Sequence, residues 1–270
     1  MKYAFFGSPE FAAIILEKLI GAGMPPTLVV CNPDKPSGRK QVIIPLPAKI
    51  VAEKYNISAI QPENFDAKIV KYFEMQNLDF SVVAAYAKIL PLNIIKLPKL
   101  GTIGVHPSLL PKYRGTTPIQ SAILNGEKET GTTLYMLDEK VDHGEILANR
   151  VQSIASGDNY TSLMGRLANL SGDLLIETLP KFMDGKIKPQ PQNESQATFT
   201  KKFSTEDGFI NLEKEDPIAI ERKILALNPE PGAWTVKNEK RIKILDQTTI
   251  QFAGKKPRAV ENAVTFLKSL

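Results

Sequence analysis

The chain has 270 residues, of which 43% are hydrophobic and 23% are charged, and this composition excludes a largely disordered protein. Cys31 is the only cysteine, which excludes a disulfide framework and fits a reducing compartment. The net charge of +5 is mildly basic, so it permits a polyanionic partner without requiring one.

The apolar runs are too short for a membrane helix, which needs about 20 residues. The longest candidate, residues 11–24, is interrupted by Glu17 and Lys18. The break at residues 7–10 also argues against a signal peptide. We therefore expect a cytoplasmic protein without a membrane partner.

Strand and helix signals alternate along the first two thirds of the chain. A short buried strand over 2–6 precedes a helix over 9–20, for which Ser8 is the predicted N-cap. Further strands are predicted over residues 27–31, 80–84, 101–105 and 132–137. Further helices are predicted over residues 48–55, 118–124 and 160–182. This alternation predicts an α/β fold with a doubly wound, Rossmann-like parallel sheet.

The pattern changes after residue 183. A stretch rich in Pro, Gln and Asn reads as a linker, and beyond it a helix over 217–227 precedes short alternating runs. These runs, at 233–236, 242–245 and 248–252, predict a small β-rich domain. The predicted division is a first domain over 1–187, a linker over 188–203 and a second domain over 204–270.

Two histidines are present. His106 leaves a buried strand at its carboxyl end, where side chains of parallel sheets face a ligand crevice. A buried histidine bonded to the backbone explains its position equally well. Asp138 and Asp142 lie in an acidic turn with His143, and a carboxylate near His106 would orient the imidazole for acid–base chemistry. His143 itself is predicted to be an exposed turn residue.

Several common site types are absent from the sequence. The turn after the first strand has a single glycine, Gly7, so it lacks the G-x-G-x-x-G pattern of dinucleotide-binding proteins. No P-loop, zinc-ligand cluster or G-x-S-x-G elbow is present either. We expect neither a dinucleotide nor a metal.

Residues 106–115 read His-Pro-Ser-Leu-Leu-Pro-Lys-Tyr-Arg-Gly and resemble the H-x-S-L-L-P-x-x-R-G signature of enzymes that use 10-formyltetrahydrofolate. Residues 5–12, 33–39 and 84–91 resemble segments of the methionyl-tRNA formyltransferase family. Residues 227–229 with Trp234, and residues 253–257, resemble its C-terminal domain. The resemblance therefore spans almost the whole chain.

The resemblance implies transfer of a formyl group from 10-formyltetrahydrofolate to the α-amine of methionine on initiator tRNA. It implies that His106 and Asp142 are catalytic. It also implies a folate site formed by Tyr86, Ala87, Ile89, Leu90, Ser108, Leu109, Leu110, Pro111, Asp138 and Asp142.

Gly104 stands where the family has a catalytic Asn. An amide there would donate a hydrogen bond to the oxyanion that forms during transfer, and losing such a donor costs about 10²–10³ in rate. We therefore expect Gly104→Asn to raise kcat by that factor, unless a water in the vacant space already donates.

The resemblance also implies contacts with tRNA. A long Pro-rich loop over 32–47 and the second domain, expected to be a short version of an oligonucleotide-binding (OB-like) β-barrel, would meet phosphates. The basic residues assigned to tRNA are Lys35, Arg39, Lys40, Arg114, Lys255 and Lys256. The protein is expected to act as a monomer.

Two other functions stay open at this point. One is formyl transfer to a small amine such as an amino sugar nucleotide, which would use the same His106 and Asp142. The other is a catalytically impaired homologue that binds folate or tRNA, because Gly104 removes the amide donor.

Overall fold

The computed structural model describes residues 1–34, 36–37 and 42–269. The chain divides into two compact units. The first unit contains Met1–Arg114, Gly131–Gln152 and Gly165–Thr198. The second unit contains Gly115–Thr130, Ser153–Met164 and Phe199–Leu270. The predicted domain boundaries at residues 187 and 204 do not coincide with the limits of these two compact units. The predicted domain division stays a prediction.

Thirteen strands lie in the described part of the chain. They are β1 (Tyr3–Phe6), β2 (Leu28–Val30), β3 (Pro36–Ser37), β4 (Val42–Ile43), β5 (Ala59–Ile60), β6 (Phe80–Ala84), β7 (Thr102–His106), β8 (Glu129–Met136), β9 (Ile146–Ser153), β10 (Ala233–Lys237), β11 (Lys240–Asp246), β12 (Thr249–Phe252) and β13 (Arg258–Ala259). The α-helices of the same residues are α1 (Glu10–Gly21), α2 (Pro47–Lys54), α3 (Ala67–Gln76), α4 (Leu92–Ile95), α5 (Pro118–Leu124), α6 (Tyr160–Met183), α7 (Pro217–Leu227) and α8 (Ala263–Ser269).

A seven-stranded sheet in the order β5-β2-β1-β6-β7-β8-β9 carries the candidate site. Strands β5, β2, β1, β6 and β7 are parallel, whereas β8 runs antiparallel to β7. The predicted Rossmann-like α/β fold is confirmed, but the sheet is mixed rather than wholly parallel. Strand and helix signals in a sequence carry no direction, so the reversal at β8 was not predicted.

Nearly all residues of the central strands β1, β6 and β7 are buried because helices cover a parallel sheet on its faces. All four residues of β1 are buried, and Phe6 packs against Phe73 of α3 at a ring distance of 5.6 Å. Phe6 also meets Tyr86 edge-on at 5.6 Å. This aromatic cluster fixes the segment that leaves the carboxyl end of β6.

The second unit contains a four-stranded antiparallel sheet in the order β10-β11-β12-β13. Its core joins residues of β11 and β12 to α7 and α8, among them Ile220, Ile244, Ile250 and Leu267. The predicted small β-rich C-terminal domain is confirmed in this antiparallel sheet.

Some local predictions were wrong. The N-cap of α1 is Pro9, while the Ser8 hydroxyl accepts hydrogen bonds from the backbone and side-chain nitrogens of Asn32, both at 2.9 Å. Helix α3 was not predicted, although Asp66 caps it by accepting from the Ile69 nitrogen at 2.9 Å.

The Pro-rich stretch over 32–47 contains the paired two-residue strands β3 and β4. Lys35, Arg39 and Lys40, which were assigned to tRNA, lie outside the described residues. None of the helices in the described ranges is long and apolar enough to cross a membrane.

Candidate active site

His106 and Asp142 lie together at the carboxyl end of β7. His106 is the last residue of the strand and is 5% exposed, and its Nδ1 is 3.6 Å from Asp142 Oδ2. The structure therefore brings the two predicted catalytic side chains together. Their roles in catalysis stay predictions at this point.

The other ring nitrogen of His106 faces the backbone. Nε2 lies 2.8 Å from the Tyr113 carbonyl oxygen, and a carbonyl only accepts, so Nε2 carries a proton. Nδ1 faces a second acceptor, the Asp142 carboxylate. The His106 ring therefore lies between a carbonyl oxygen and a carboxylate.

Both partners of His106 have left-handed backbone conformations. The φ angle is 61° at Tyr113 and 49° at Asp142. Non-glycine residues in this region are uncommon and cluster at functional sites, where surrounding contacts hold them.

Gly104 lies two residues before His106 on β7, so both residues project to the same face of the sheet. Its partner in the antiparallel register is Tyr135 of β8. A Cβ atom at residue 104 would lie 2.4 Å from Tyr135 Cε1 and 2.5 Å from Leu137 Cδ1. The Tyr135 ring and the Leu137 side chain therefore occupy the space that a side chain at residue 104 would enter.

The Tyr135 hydroxyl donates to Asp142 Oδ1 at 2.6 Å. Burial raises the pKa of Tyr135 well above its usual value, and the negative charge of Asp142 raises it further. Tyr135 therefore remains a donor at neutral pH.

The loop after His106 is anchored by one side chain of β8. The Thr133 hydroxyl donates to the Ser108 carbonyl at 2.7 Å and accepts from the Leu110 nitrogen at 3.1 Å. The Ser108 hydroxyl donates to the Lys112 carbonyl at 2.6 Å. Ser108 and Leu110 are buried, while Leu109 and Pro111 are half-buried, so the first pair holds the loop and the second pair is accessible.

Four further predicted folate residues follow β6. Ala87 and Ile89 are exposed, and Leu90 is buried against the apolar cluster of β1 and α3. The Tyr86 hydroxyl is buried and has no hydrogen-bond partner within the described ranges. Burial raises the pKa of Tyr86 to about 12. A buried hydroxyl without a partner is a candidate ligand contact, because buried polar groups are otherwise bonded.

The acidic turn, residues 138–144, folds tightly against the end of β8. Asp138 Oδ2 lies 2.6 Å from His143 Nδ1, and Asp138 Oδ1 accepts from the Lys140 nitrogen at 2.9 Å. A Cβ atom at Gly144 would lie 1.7 Å from the Met136 carbonyl oxygen, so only glycine fits there. His143 is about one-third exposed, in keeping with its place in a turn.

Arg114 is buried, with 2% of its surface exposed. Its Nε and Nη2 donate to Gln192 Oε1 at 3.1 and 2.7 Å, and Nη2 also lies 2.6 Å from Glu194 Oε1. The Arg114 guanidinium holds the pKa of Glu194 below its usual value. The predicted contact of Arg114 with tRNA is wrong in this arrangement, because a buried guanidinium with these partners is not available to a phosphate.

The segment predicted as a linker packs along the site in its 190–198 part, which we call the strap. Gln190 pairs with Ile146 through two backbone hydrogen bonds of 2.7 and 2.9 Å. At the other end, the Thr198 carbonyl accepts from the Arg114 nitrogen at 2.9 Å, and its hydroxyl oxygen accepts from the Tyr113 nitrogen at 2.8 Å.

Gln192 joins the strap to the acidic turn. Its Nε2 donates to the carbonyl oxygens of Asp142 and Gly144 at 3.0 and 2.8 Å. A single amide therefore links the buried Arg114 to the backbone of the carboxylate that faces His106. A cleft opens between the acidic turn and the strap.

Three residues of this arrangement were not predicted from the sequence: Tyr135, Tyr113 and Gln192. Tyr135 sits two residues after Thr133 on a strand, so period-two alternation toward the face of His106 was the available signal. Tyr113 acts through its carbonyl and Gln192 acts from a distant segment, so neither had a local signal.

Lys255 and Lys256 are exposed in the turn after β12, within the second unit. Within the described ranges, no group of three or more His, Cys, Asp or Glu side chains is arranged to hold a metal ion.

Gly104→Asn is expected to destabilise the protein by about 1–3 kcal/mol, because the new side chain overlaps the buried Tyr135 ring. The expectation that the same change raises kcat stays a prediction, to which the steric overlap adds this cost in stability. Urea unfolding of Gly104→Asn alone and in a Tyr135→Leu background measures the effect. The penalty should shrink in the second background, and an equal penalty in both would contradict the steric assignment.

Gln192→Ala is expected to cost about 1–3 kcal/mol in the free energy of unfolding, since it leaves the buried Arg114 and two carbonyls of the acidic turn underbonded. Gln190→Ala is the matched control, because the Gln190 side chain bonds to the Lys188 carbonyl at an exposed site and its backbone pairing with Ile146 remains. Chemical denaturation of both variants tests this, and equal losses would refute the role of Gln192.

Known proteins share this architecture. The model of the formyl transferase family matches residues 1–179, and that of the formyl transferase C-terminal domain matches residues 202–264. Methionyl-tRNA formyltransferase of Thermotoga maritima is 39% identical over 258 residues, which cover 95% of this chain and 82% of that protein. Methionyl-tRNA formyltransferase of Enterococcus faecalis is 41% identical over 263 residues, which cover 94% of this chain and 82% of that protein.

Solved structures agree at the level of the fold. HypX from Aquifex aeolicus superposes with a TM-score of 0.71 at 20% identity, covering 95% of this chain, which spans 41% of HypX. A sugar N-formyltransferase from Shewanella sp. gives a TM-score of 0.67 at 17% identity, covering 90% of this chain and 96% of that chain. At such identities the likeness shows the fold alone. The first family model matches residues 1–179, which is well over half of the 270 residues. The chain therefore belongs to the formyl transferase family.

Proposed function

We propose that this chain transfers the formyl group of 10-formyltetrahydrofolate to the α-amine of methionine carried by initiator tRNA. The curated relatives at about 40% identity carry the name of that activity. The observation that carries the proposal is the His106–Asp142 pair, whose Nδ1 and Oδ2 atoms are 3.6 Å apart. The pair lies at the carboxyl end of β7, where the loop of residues 106–115 begins.

The reaction needs charge stabilisation at one oxygen and a balanced transfer of one proton. The amine nitrogen attacks the formyl carbon, and an electron pair moves to the formyl oxygen as the new C–N bond forms. The intermediate then collapses and breaks the bond to N10 of the folate, while the amine loses a proton and N10 gains one. We assign stabilisation of the developing negative charge on the oxygen to the nearby charge of a protonated His106 ring, and stabilisation of that ring to the Asp142 carboxylate.

The folate site is proposed to lie along the segments that follow β6 and β7. Tyr86 supports it with a buried hydroxyl that lacks a partner among the described residues. The accessible Leu109 and Pro111 offer apolar surface, and Ser108 and Leu110 shape the loop from below. Ala87, Ile89, Leu90, Asp138 and Asp142 complete the proposed site.

Contacts with tRNA are proposed at two places. One is the Pro-rich loop with Lys35, Arg39 and Lys40, and the other is the exposed turn with Lys255 and Lys256. These contacts would neutralise phosphates and make binding depend on salt.

The outer face of β11 adds basic groups that the sequence analysis did not single out. Arg241 and Lys243 are exposed and alternate with the buried Ile242 and Ile244. The Arg241 guanidinium lies 4.0 Å from the centre of the Trp234 ring. We include Arg241 and Lys243 in the proposed tRNA surface.

His106→Gln is expected to lower kcat for formylation of charged initiator tRNA by about 10²–10⁴, because glutamine keeps a polar group but cannot carry the positive charge. Single-turnover assays with 10-formyltetrahydrofolate measure it. An amino sugar nucleotide serves as the second acceptor, and preferred transfer to it by the unaltered protein would overturn the assignment to tRNA.

Binding of initiator tRNA is expected to weaken with salt. Replacing Lys255 and Lys256 by Ala should flatten the slope of log Kd against log salt by up to about two units, because each phosphate contact contributes nearly one. Lys68→Ala with Lys71→Ala removes two exposed lysines of α3 as the control. A slope that is equal in both double variants would contradict the proposed surface.

A further inference from the structure

We propose that Tyr135 is a positioning residue of the site: its hydroxyl holds Asp142 toward His106, and its ring fills the space beside Gly104. The inference deepens the proposed function and rests on it, since it concerns how the same site is organised.

The sheet register places Tyr135 beside the site. Gly104 and Tyr135 are direct partners across β7 and β8, and the next pair on the same face is His106 with Thr133. Side chains of such pairs lie next to each other on one face of the sheet. Tyr135 is therefore the side chain that β8 contributes at the level of residue 104.

Gly104 and Tyr135 exclude a larger residue at position 104. An added Cβ would approach two atoms of the Tyr135 ring, Cε1 at 2.4 Å and Cζ at 2.5 Å. Tyr135 is only 6% exposed, so its ring cannot swing into solvent without opening the site. The glycine and the tyrosine therefore function as a pair, in which the Tyr135 ring of β8 occupies the space that a side chain on β7 would need.

The hydroxyl of Tyr135 divides the two oxygens of Asp142 between two partners. Oδ1 accepts the tyrosine proton at 2.6 Å, which leaves Oδ2 facing His106 Nδ1 at 3.6 Å. A phenol has one proton to donate, and that proton is directed at Asp142. Tyr135 thus acts through the carboxylate and does not itself supply a donor to the formyl oxygen.

Tyr135→Phe is the test, because it removes the hydroxyl and keeps the ring over Gly104. We expect kcat for formylation to fall about 10- to 100-fold with little change in KM, as expected for a misplaced catalytic group. Tyr3→Phe is the matched control, since Tyr3 is fully buried in β1 and its hydroxyl donates to the Met24 carbonyl at 2.6 Å. The control should lose comparable stability and keep its kcat.

A double-variant cycle separates positioning from an independent role. If Tyr135 acts through Asp142, adding Tyr135→Phe to Asp142→Asn lowers kcat no further. An unchanged kcat in Tyr135→Phe, or the same fold loss in both backgrounds, overturns the proposal.

NMR of the histidine ring nitrogens gives a readout that needs no substrate. The chain has two histidines, so signals of His106 are identified by comparison with His143→Gln. Tyr135→Phe should shift the His106 Nδ1 signal, and Tyr3→Phe should leave it in place. If the unaltered protein formylates no charged tRNA, the proposed function fails while this shift still decides the role of Tyr135. An unshifted His106 Nδ1 signal in Tyr135→Phe refutes the positioning role of Tyr135.

Discussion

The buried guanidinium of Arg114 is the constraint on which the site depends. A side chain that is charged and only 2% exposed is stable only when protein groups replace the hydrogen bonds that water would make with it. The strap supplies these groups, which are the side chains of Gln192 and Glu194. The side-chain nitrogen of Gln192 donates hydrogen bonds to two carbonyl oxygens of the acidic turn. Satisfying one cation therefore fixes the strap, and the fixed strap holds the backbone of Asp142.

Asp142 is in turn contacted by groups from three separate segments of the chain. Its backbone is held by the strap, one oxygen is held by β8 through Tyr135, and the other faces the end of β7. A carboxylate with three sources of restraint has little freedom to reorient, so the field at His106 is set before any substrate arrives. Such preorganisation is the main source of electrostatic stabilisation in enzyme sites.

The alternation of strand and helix signals was sufficient to predict the fold class, because it is a local pattern. The meeting of His106 with Asp142 was predicted from the family resemblance together with the place of His106 at a strand end. Helix α5 matched its predicted bounds, and α6 ended one residue beyond them. The strap was predicted as a linker because its Pro and Gln content is typical of one, whereas its side-chain contacts lie 48 to 85 residues away in sequence. Arg114 was assigned to tRNA because its burial could not be recognised from the sequence. Burial of this residue arises from tertiary packing, which no local sequence pattern indicates. Gly104 was recognised as a departure, but the ring that fills its space comes from a neighbouring strand.

The left-handed backbone of Asp142 restricts the choice of acid at this position. Short polar side chains tolerate a φ of 49° better than other residues do, because they bond to nearby backbone groups. Aspartate suits this conformation and also places a negative charge beside His106, whereas the longer glutamate is less suited to bond to the nearby backbone. The choice of aspartate is thus favoured twice, once by the turn and once by the charge that it places beside His106. The shape of the turn is a reason to keep aspartate here that does not depend on any role of its carboxylate in catalysis.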